Sequence, residues 1–257
     1  MNKKITSTDN RIYKLCASLA FKKYRDKEDM YLIEGSKLLE EAITKNAKIV
    51  AVIFREDISY NIVNVDTYEM PQKLFNNLSQ TEMSQGILAL IKKPRVTNED
   101  LIVLNHPTKN IVVLDRLQDP GNIGTIIRTA AAAGYLAVIS LKGTADVFSP
   151  KSIRAAAGSV FMIPIFFAED NLEVIELARE LGKKIVATCF DTEKYYYEED
   201  LSEGIELIIG NEGNGISNEL IEKADLKIKI PMQGNIESLN ASVATGILMY
   251  EAIRVKK

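Results

Sequence analysis

The sequence predicts an α/β protein of two unequal halves, and three observations predict it. From Ile111 onward, short and nearly continuous Val/Ile/Leu runs alternate with helix-length segments. Such runs belong to parallel strands buried on both faces by crossover helices. From residue 29 to 93 strands and helices also alternate, though less regularly. Between the halves, KKPRVTNEDLIVLNHPTKN (Lys92 to Asn110) has two prolines and mixed polarity, which reads as a boundary near residue 105. The expected units are therefore 1–105 and 106–257.

The first 27 residues carry Lys3, Lys4, Arg11, Lys14, Lys22, Lys23, Arg25 and Lys27 against Asp9 and Asp26, a local net charge of +6. Ile12, Leu15, Cys16 and Leu19 fall at i, i+3, i+4, i+7, so an amphipathic helix with a basic outer face is expected there. Lys22 and Lys23 are its candidate phosphate contacts. MYLIEG then predicts a strand closed by Gly35, SKLLEEAITKN a helix capped by Ser36, and IVAVIFR a strand. Strand-like residues around Ile62, a helix opened by Pro71 and the strand GILALIKK complete this half.

In the second half IVVLDRL is a strand, and Asn122 to Gly134 a helix with Ile123, Ile126, Ile127 and Ala130 on one face. LAVISL predicts a strand, Ser149 to Phe161 a helix, IPIFF a strand, NLEVIELARELG a helix and KIVATCF a strand. IELIIG, a short helix near ISNELIEKA, and LKIKIPM precede the last helix. There Val243, Ile247, Tyr250 and Ile253 recur at helical spacing, which predicts core packing.

Composition narrows the classes. No apolar run reaches about 18 residues, so no membrane span is expected, and no signal-peptide pattern opens the chain. Cys16 and Cys189 stand far apart without metal spacing, which argues against a disulfide framework or a metal site and for a reducing, cytoplasmic setting. The single histidine, His106, precedes Pro107 and reads as solvated surface.

Ligands of parallel sheets sit beyond the carboxyl ends of the strands, and three such ends carry unusual loops. In DRLQDPGNIGTIIRTAAAAG, Pro120-Gly121 makes a turn, Asn122 is placed to cap the helix, and Arg128 lies off the apolar stripe. In LIIGNEGNGIS the glycines run G-x-x-G-x-G late in the domain, unlike the G-x-G-x-x-G of dinucleotide folds. Glu212 among them disfavours a pyrophosphate and suits a positively charged or donor-rich ligand. In IPMQGNIESLNASVATG, Ser238, Asn240 and Ser242 offer more capping groups than one helix needs, which suggests a ligand.

In order and spacing, NIGTIIRTAAAAG, IIGNEGNGIS and IPMQGNIESLNASVATGILMYEA resemble the three signature motifs of the SpoU family within the SPOUT superfamily. These are S-adenosylmethionine-dependent RNA 2′-O-ribose methyltransferases. The likeness spans about residues 111–254, and SPKSIRAAAGSVF looks like the family's segment between the first two motifs. YLIEGSKLLEEAI and SQGILALIKKP are similar to the substrate-binding domain often fused ahead of it, a small ribosomal-protein-like α/β fold that binds RNA.

The resemblance implies a parallel sheet with helices on both faces, a deep C-terminal trefoil knot, a homodimer and an RNA substrate, ribosomal RNA before transfer RNA. Gly210, Ile230 and Leu239 are implied to lend backbone groups to S-adenosylmethionine, with Thr188 and Met232 beside it. Asn122, Arg128, Glu212, Ser238 and Asn240 are implied to serve catalysis and positioning. The family assigns the hydroxyl proton to the motif-one arginine, but a free arginine is almost never deprotonated. The expectation for Arg128 is therefore to orient a phosphate and stabilise the emerging alkoxide. Lys151 and Arg154, three apart on one helix side, are candidate RNA-phosphate contacts. The alternatives are a transfer-RNA methylase, an antibiotic-resistance methylase of the same family, a non-catalytic RNA-binding relative, and a dinucleotide-dependent oxidoreductase, which the glycine order and Glu212 disfavour.

Overall fold

A computed structural model describes residues 3–81, 83–234 and 238–255, with the Val255 side chain left aside. The chain divides into two compact units, 1–94 with 148–154, and 95–147 with 155–257.

The first unit runs β1 (Lys3–Lys4), α1 (Arg11–Ser18), α2 (Lys22–Glu28), β2 (Met30–Glu34), α3 (Ser36–Thr44), β3 (Ile49–Arg55), β4 (Asp66–Met70), α4 (Gln72–Leu78) and β5 (Ile87–Lys92). Its five strands form one mixed sheet in the order β1-β4-β3-β5-β2. Tyr13, Cys16 and Leu19 from the N-terminal helix and Phe75 and Leu78 from α4 close over Ile53, Leu88 and Leu90. The expected single N-terminal helix is two helices. Arg25, counted among the basic residues of its outer face, is buried and donates Nη1 to the carbonyls of Leu19 (2.6 Å) and Ala20 (2.9 Å) at the bend. Five of the seven other basic residues there reach carboxylates: Lys3–Asp66, Lys4–Glu69, Lys14–Asp9, Lys22–Asp26 and Lys27–Glu28. The basic face is thus partly paired at the surface, while Arg11 and Lys23 make no ion pair among the described residues. Two smaller expectations are also corrected. The strand is Asp66–Met70 rather than the residues around Ile62, and Ser36 is the first residue of α3, whose cap position is Gly35 at φ +102°.

The chain continues with α5 (Asn98–Leu104), β6 (Ile111–Asp115), α6 (Pro120–Ala132), β7 (Ala137–Leu141), α7 (Pro150–Ala156), β8 (Ile165–Ala168), α8 (Asn171–Glu180), β9 (Lys184–Thr188), β10 (Ile205–Gly210), α9 (Asn218–Lys223), β11 (Leu226–Ile228) and α10 (Ala241–Val255), all in the second unit except residues 150–154 of α7. All six strands are parallel, in the order β11-β9-β10-β6-β7-β8. On one face Val113, Ile139, Ile185 and Ile208 pack against Val174, Ile175 and Ala178 of α8 and Leu220 of α9. The intervening residues, fully buried as well, point to the opposite face, where α6 and α10 pack on the sheet and on each other.

The segment expected to be the boundary folds. Thr97 and Asp100 make a reciprocal capping box for α5, and Leu101 enters the second unit's core. Residues 95–104 thus pack with the second unit instead of ending the first. The expected helix to Phe161 stops at Ala156. Ala157 and Gly158 turn left-handed (φ +46° and +88°), and a single 3₁₀ turn follows at Ser159–Phe161. The residues Phe148–Arg154 pack with the first unit, where the Phe148 ring stacks on Tyr31 at 4.7 Å.

Candidate active site

Because β6, β10, β9 and β11 are neighbours and parallel, the loops that leave their carboxyl ends emerge side by side. A cavity of about 530 Å³ opens there. Its walls are Thr188, Cys189 and Phe190 at the end of β9, Ile209 to Gly213 and Gly215 around the end of β10, and Ile228, Lys229, Ile230 and Met232 at the end of β11. Ser238, Leu239, Asn240, Ala241, Ala244 and Leu248 at the start of α10 close it. The five expected cofactor residues, Thr188, Gly210, Ile230, Met232 and Leu239, all line this one cavity, together with Glu212, Ser238 and Asn240.

The β10 loop is held shut by its own backbone. Asn211 and Gly215 exchange N–H···O bonds of 2.9 Å each, and Asn211 Oδ1 accepts the N–H groups of Gly213 and Asn214. The amide of Asn211 donates to the carbonyl of Arg116 at 2.7 Å. A side chain at Gly210 has no room, since a Cβ there would lie 2.3 Å from Gly215 C and Ile216 N.

The first loop borders the cavity without lining it, and Glu212 ties it in place. The Glu212 carboxylate accepts the N–H of Gln118 (2.9 Å), the N–H of Asp119 (3.2 Å) and the Asn122 side-chain amide (3.1 Å). Asn122 Oδ1 in turn accepts from the Asn240 amide at 2.9 Å. Asn240 Oδ1 accepts the N–H groups of Ser242 and Val243 and so caps α10. One polar chain therefore joins all three loops. Burial acts to raise the Glu212 carboxyl, but the donors from Gln118, Asn122 and Asp119 outweigh it and hold the group below the usual carboxylate range. A fixed negative charge thus stands at the cavity wall.

Two expectations are corrected here. Asn122 does not cap α6. That position belongs to Asp119, whose carboxylate accepts the N–H groups of Gly121 and Asn122, which frees the buried Asn122 side chain to bridge Glu212 and Asn240. The last helix starts at Ala241, so Ser238 stands in the loop and faces the cavity. Arg128 is exposed on α6, makes no ion pair among the described residues and does not line the cavity. Helical rise places it roughly 9 Å along the axis from Asn122. Lys22, Lys23, Lys151 and Arg154 are exposed and all belong to the first unit.

Sequence reasoning missed Asn211, Phe190 and Lys229. The Asn-x-Gly spacing of Asn211 was a readable turn signal. Nothing in the sequence marked Phe190, 69% exposed, or Lys229, whose Nζ lies 5.3 Å above the Tyr195 ring, as lining the cavity. Among the described residues no cluster of ligands for a metal ion occurs, and no helix is long and apolar enough to cross a membrane.

The arrangement suits a ligand of cofactor size, within the roughly 300–1,000 Å³ of small-molecule sites. Apolar walls from Ile209, Ile228, Ile230, Met232 and Leu248 would take a flat ring system, and Glu212 favours a cation. Residues 109–250 match the SpoU rRNA methylase family model, and residues 10–89 match the MRM3-like substrate-binding domain. The chain belongs to the SpoU rRNA methylase family. It is 39% identical over 96% of its length to the Bacillus subtilis 23S rRNA (guanosine(2553)-2′-O)-methyltransferase RlmP, 98% of which is covered. It is 33% identical over 67% of its length to the Pseudomonas putida 23S rRNA (guanosine-2′-O-)-methyltransferase RlmB, covering 71% of that protein. The AdoMet-bound rRNA methyltransferase of Sinorhizobium meliloti superposes with a TM-score of 0.90 at 34% identity, with 98% of each chain covered.

Proposed function

We propose that this SpoU-family chain transfers a methyl group from S-adenosylmethionine to a ribose 2′-hydroxyl of 23S ribosomal RNA, on a guanosine as its Bacillus relative does. The observation that carries this reading is the single cavity to which loops after β9, β10 and β11 contribute, joined to the first loop by the Glu212–Asn122–Asn240 chain.

When bound, S-adenosylmethionine supplies an electrophilic methyl carbon on a positively charged sulfur. Backbone groups of Gly210, Ile230 and Leu239 hold it, with Thr188 and Met232 beside it, and Glu212 adds a negative charge that favours the sulfonium. Ser238 and Asn240 position substrate and cofactor at the wall they share. Arg128 approaches from α6, orients the phosphate next to the reacting ribose and stabilises the charge that develops on the 2′-oxygen. Lys151 and Arg154 contact RNA phosphates outside the cavity.

The reading includes the trefoil knot, the homodimer and a cytoplasmic setting. Supporting the knot, β11 lies at the far edge of the sheet while α10 packs against α6 and β10, so the chain crosses past the β9 and β10 loops to reach it. Supporting the dimer, Val243 and Tyr250 on α10 are each 52% exposed. This corrects the expectation that the Val243–Ile247–Tyr250 row packs in this chain's core.

The test is a thermal melt with S-adenosylhomocysteine or NAD, followed by methyl transfer. The first compound raises the melting temperature and NAD does not. Arg128→Lys, which loses the planar fork, keeps donor affinity and lowers turnover about 100-fold. A lysine variant with full turnover would remove Arg128 from the mechanism.

A further inference from the structure

The elbow between α1 and α2 has no task in the methyltransferase site, yet the chain fixes it firmly. Arg25 is only 4% exposed and spends its guanidinium on the carbonyls of Leu19 and Ala20 at the bend. What that rigid bend presents is Phe21, 65% exposed. Phe21 occupies the cap position of α2 and makes no side-chain cap bond, where Ser, Thr, Asp or Asn would supply one. Tyr24, three residues on and therefore on the same helix face, is 39% exposed. Neither ring makes an aromatic contact among the described residues. Between them stand Lys22, held only in an exposed i,i+4 pair with Asp26, and Lys23, which makes no ion pair among the described residues.

A second exposed aromatic group gives the contrast. Tyr195 and Tyr197 stack on each other at 5.5 Å, and Glu193, Glu198, Glu199 and Asp200 surround them in the chain. Their rings are already engaged, that of Tyr195 also by the Lys229 ammonium at 5.3 Å, and the chain around them is on balance acidic. At the elbow the faces are open and the intervening charges are positive. Aromatic faces next to cationic side chains are the combination that binds unpaired nucleotides, because every base has a face to stack and every linkage a phosphate to neutralise.

We propose that the α1–α2 elbow is a stacking platform for unpaired bases of the RNA substrate, with Phe21 and Tyr24 each receiving a base and Lys22 and Lys23 neutralising the flanking phosphates. This rests on the reading of the chain as an RNA methyltransferase.

The test measures fluorescence anisotropy of the full-length protein with a labelled mixed-sequence single-stranded oligoribonucleotide of about 12 nucleotides, a length within reach of such platforms. The matching RNA duplex is the control. Phe21→Ala and Tyr24→Ala each weaken single-strand binding about 5- to 100-fold, while duplex binding and S-adenosylmethionine uptake hold. Phe21→Trp restores binding and Phe21→Leu does not. Lys23→Gln reduces the slope of log affinity against log salt by about 0.7. A Phe21→Ala/Tyr24→Ala double variant that binds the single strand like the wild type, or a leucine that rescues as well as tryptophan, overturns the platform alone. A wild-type protein that takes up the methyl donor yet binds no RNA removes the substrate reading and the platform together.

Discussion

Gly210 shows how much of the site depends on a missing side chain. The atoms a Cβ would strike there, Gly215 C and Ile216 N at 2.3 Å, are backbone, and the Asn211–Gly215 bonds keep them from moving aside. Gly210→Ala is therefore expected to displace the 211–215 loop and weaken S-adenosylmethionine binding at least about 100-fold by calorimetry, as a loss of several kcal/mol implies. Gly213, whose nearest Cβ neighbour would be Asn211 Oδ1 at 3.6 Å, serves as the control, and its alanine variant should bind normally. A second residue-scale prediction concerns Glu206. Its carboxyl is fully buried on β10, neither oxygen has a hydrogen-bond partner among the described residues, and burial pushes it up to about 8 against the opposing pull of Lys183. The unfolded chain releases this proton near pH 4.3. Between that pH and about 8 the folded state holds the extra proton, so stability falls as pH rises through the window. Glu206→Gln is expected to be more stable than the wild type at pH 7 by on the order of 2 kcal/mol, and equal to it near pH 4, in denaturant melts at the two pH values. Equal stability at both would mean Glu206 finds a charged partner.

At the scale of elements, the readable and the unreadable parts separate for physical reasons. The strands IVVLD, AVISL, KIVAT and IELIIG were legible because a parallel strand covered on both faces must be apolar at nearly every position. β4 was not, since DTYEM lies beside the two-residue β1 and keeps most of its side chains partly exposed. The helix α5 hid behind two prolines, although its Thr97–Asp100 capping box was written in the sequence. On α10 the period of Val243, Ile247 and Tyr250 was read correctly as apolar but assigned to the wrong surface. Spacing alone does not separate an apolar face buried within the chain from one left exposed, as Val243 and Tyr250 are. That face gives the element-scale prediction. On the proposed homodimer, Tyr250→Glu is expected to shift the sedimentation coefficient from that of a dimer to that of a monomer, because a carboxylate in an apolar interface costs several kcal/mol. An unchanged sedimentation coefficient would contradict a dimer formed through α10.

On the scale of the whole molecule, sequence patterns pointed to which residues gather but not how they are tied. The glycines and polar side chains of the β10 and α10 loops were visible as a surplus over structural need. The Glu212–Asn122–Asn240 chain joins positions 90 and 118 residues apart, and no local pattern carries a bond of that span. Arg128 stands outside the cavity that its motif borders, which leaves it facing solvent where a substrate backbone would arrive. The cavity is thus proposed for the methyl donor and the α6 side for RNA. The most direct test is incubation of the purified protein with unmodified 23S rRNA and methyl-labelled S-adenosylmethionine, followed by nucleoside digestion and mass spectrometry. The predicted result is label on the 2′-oxygen of a guanosine. Label on a base, or none at all, would contradict it.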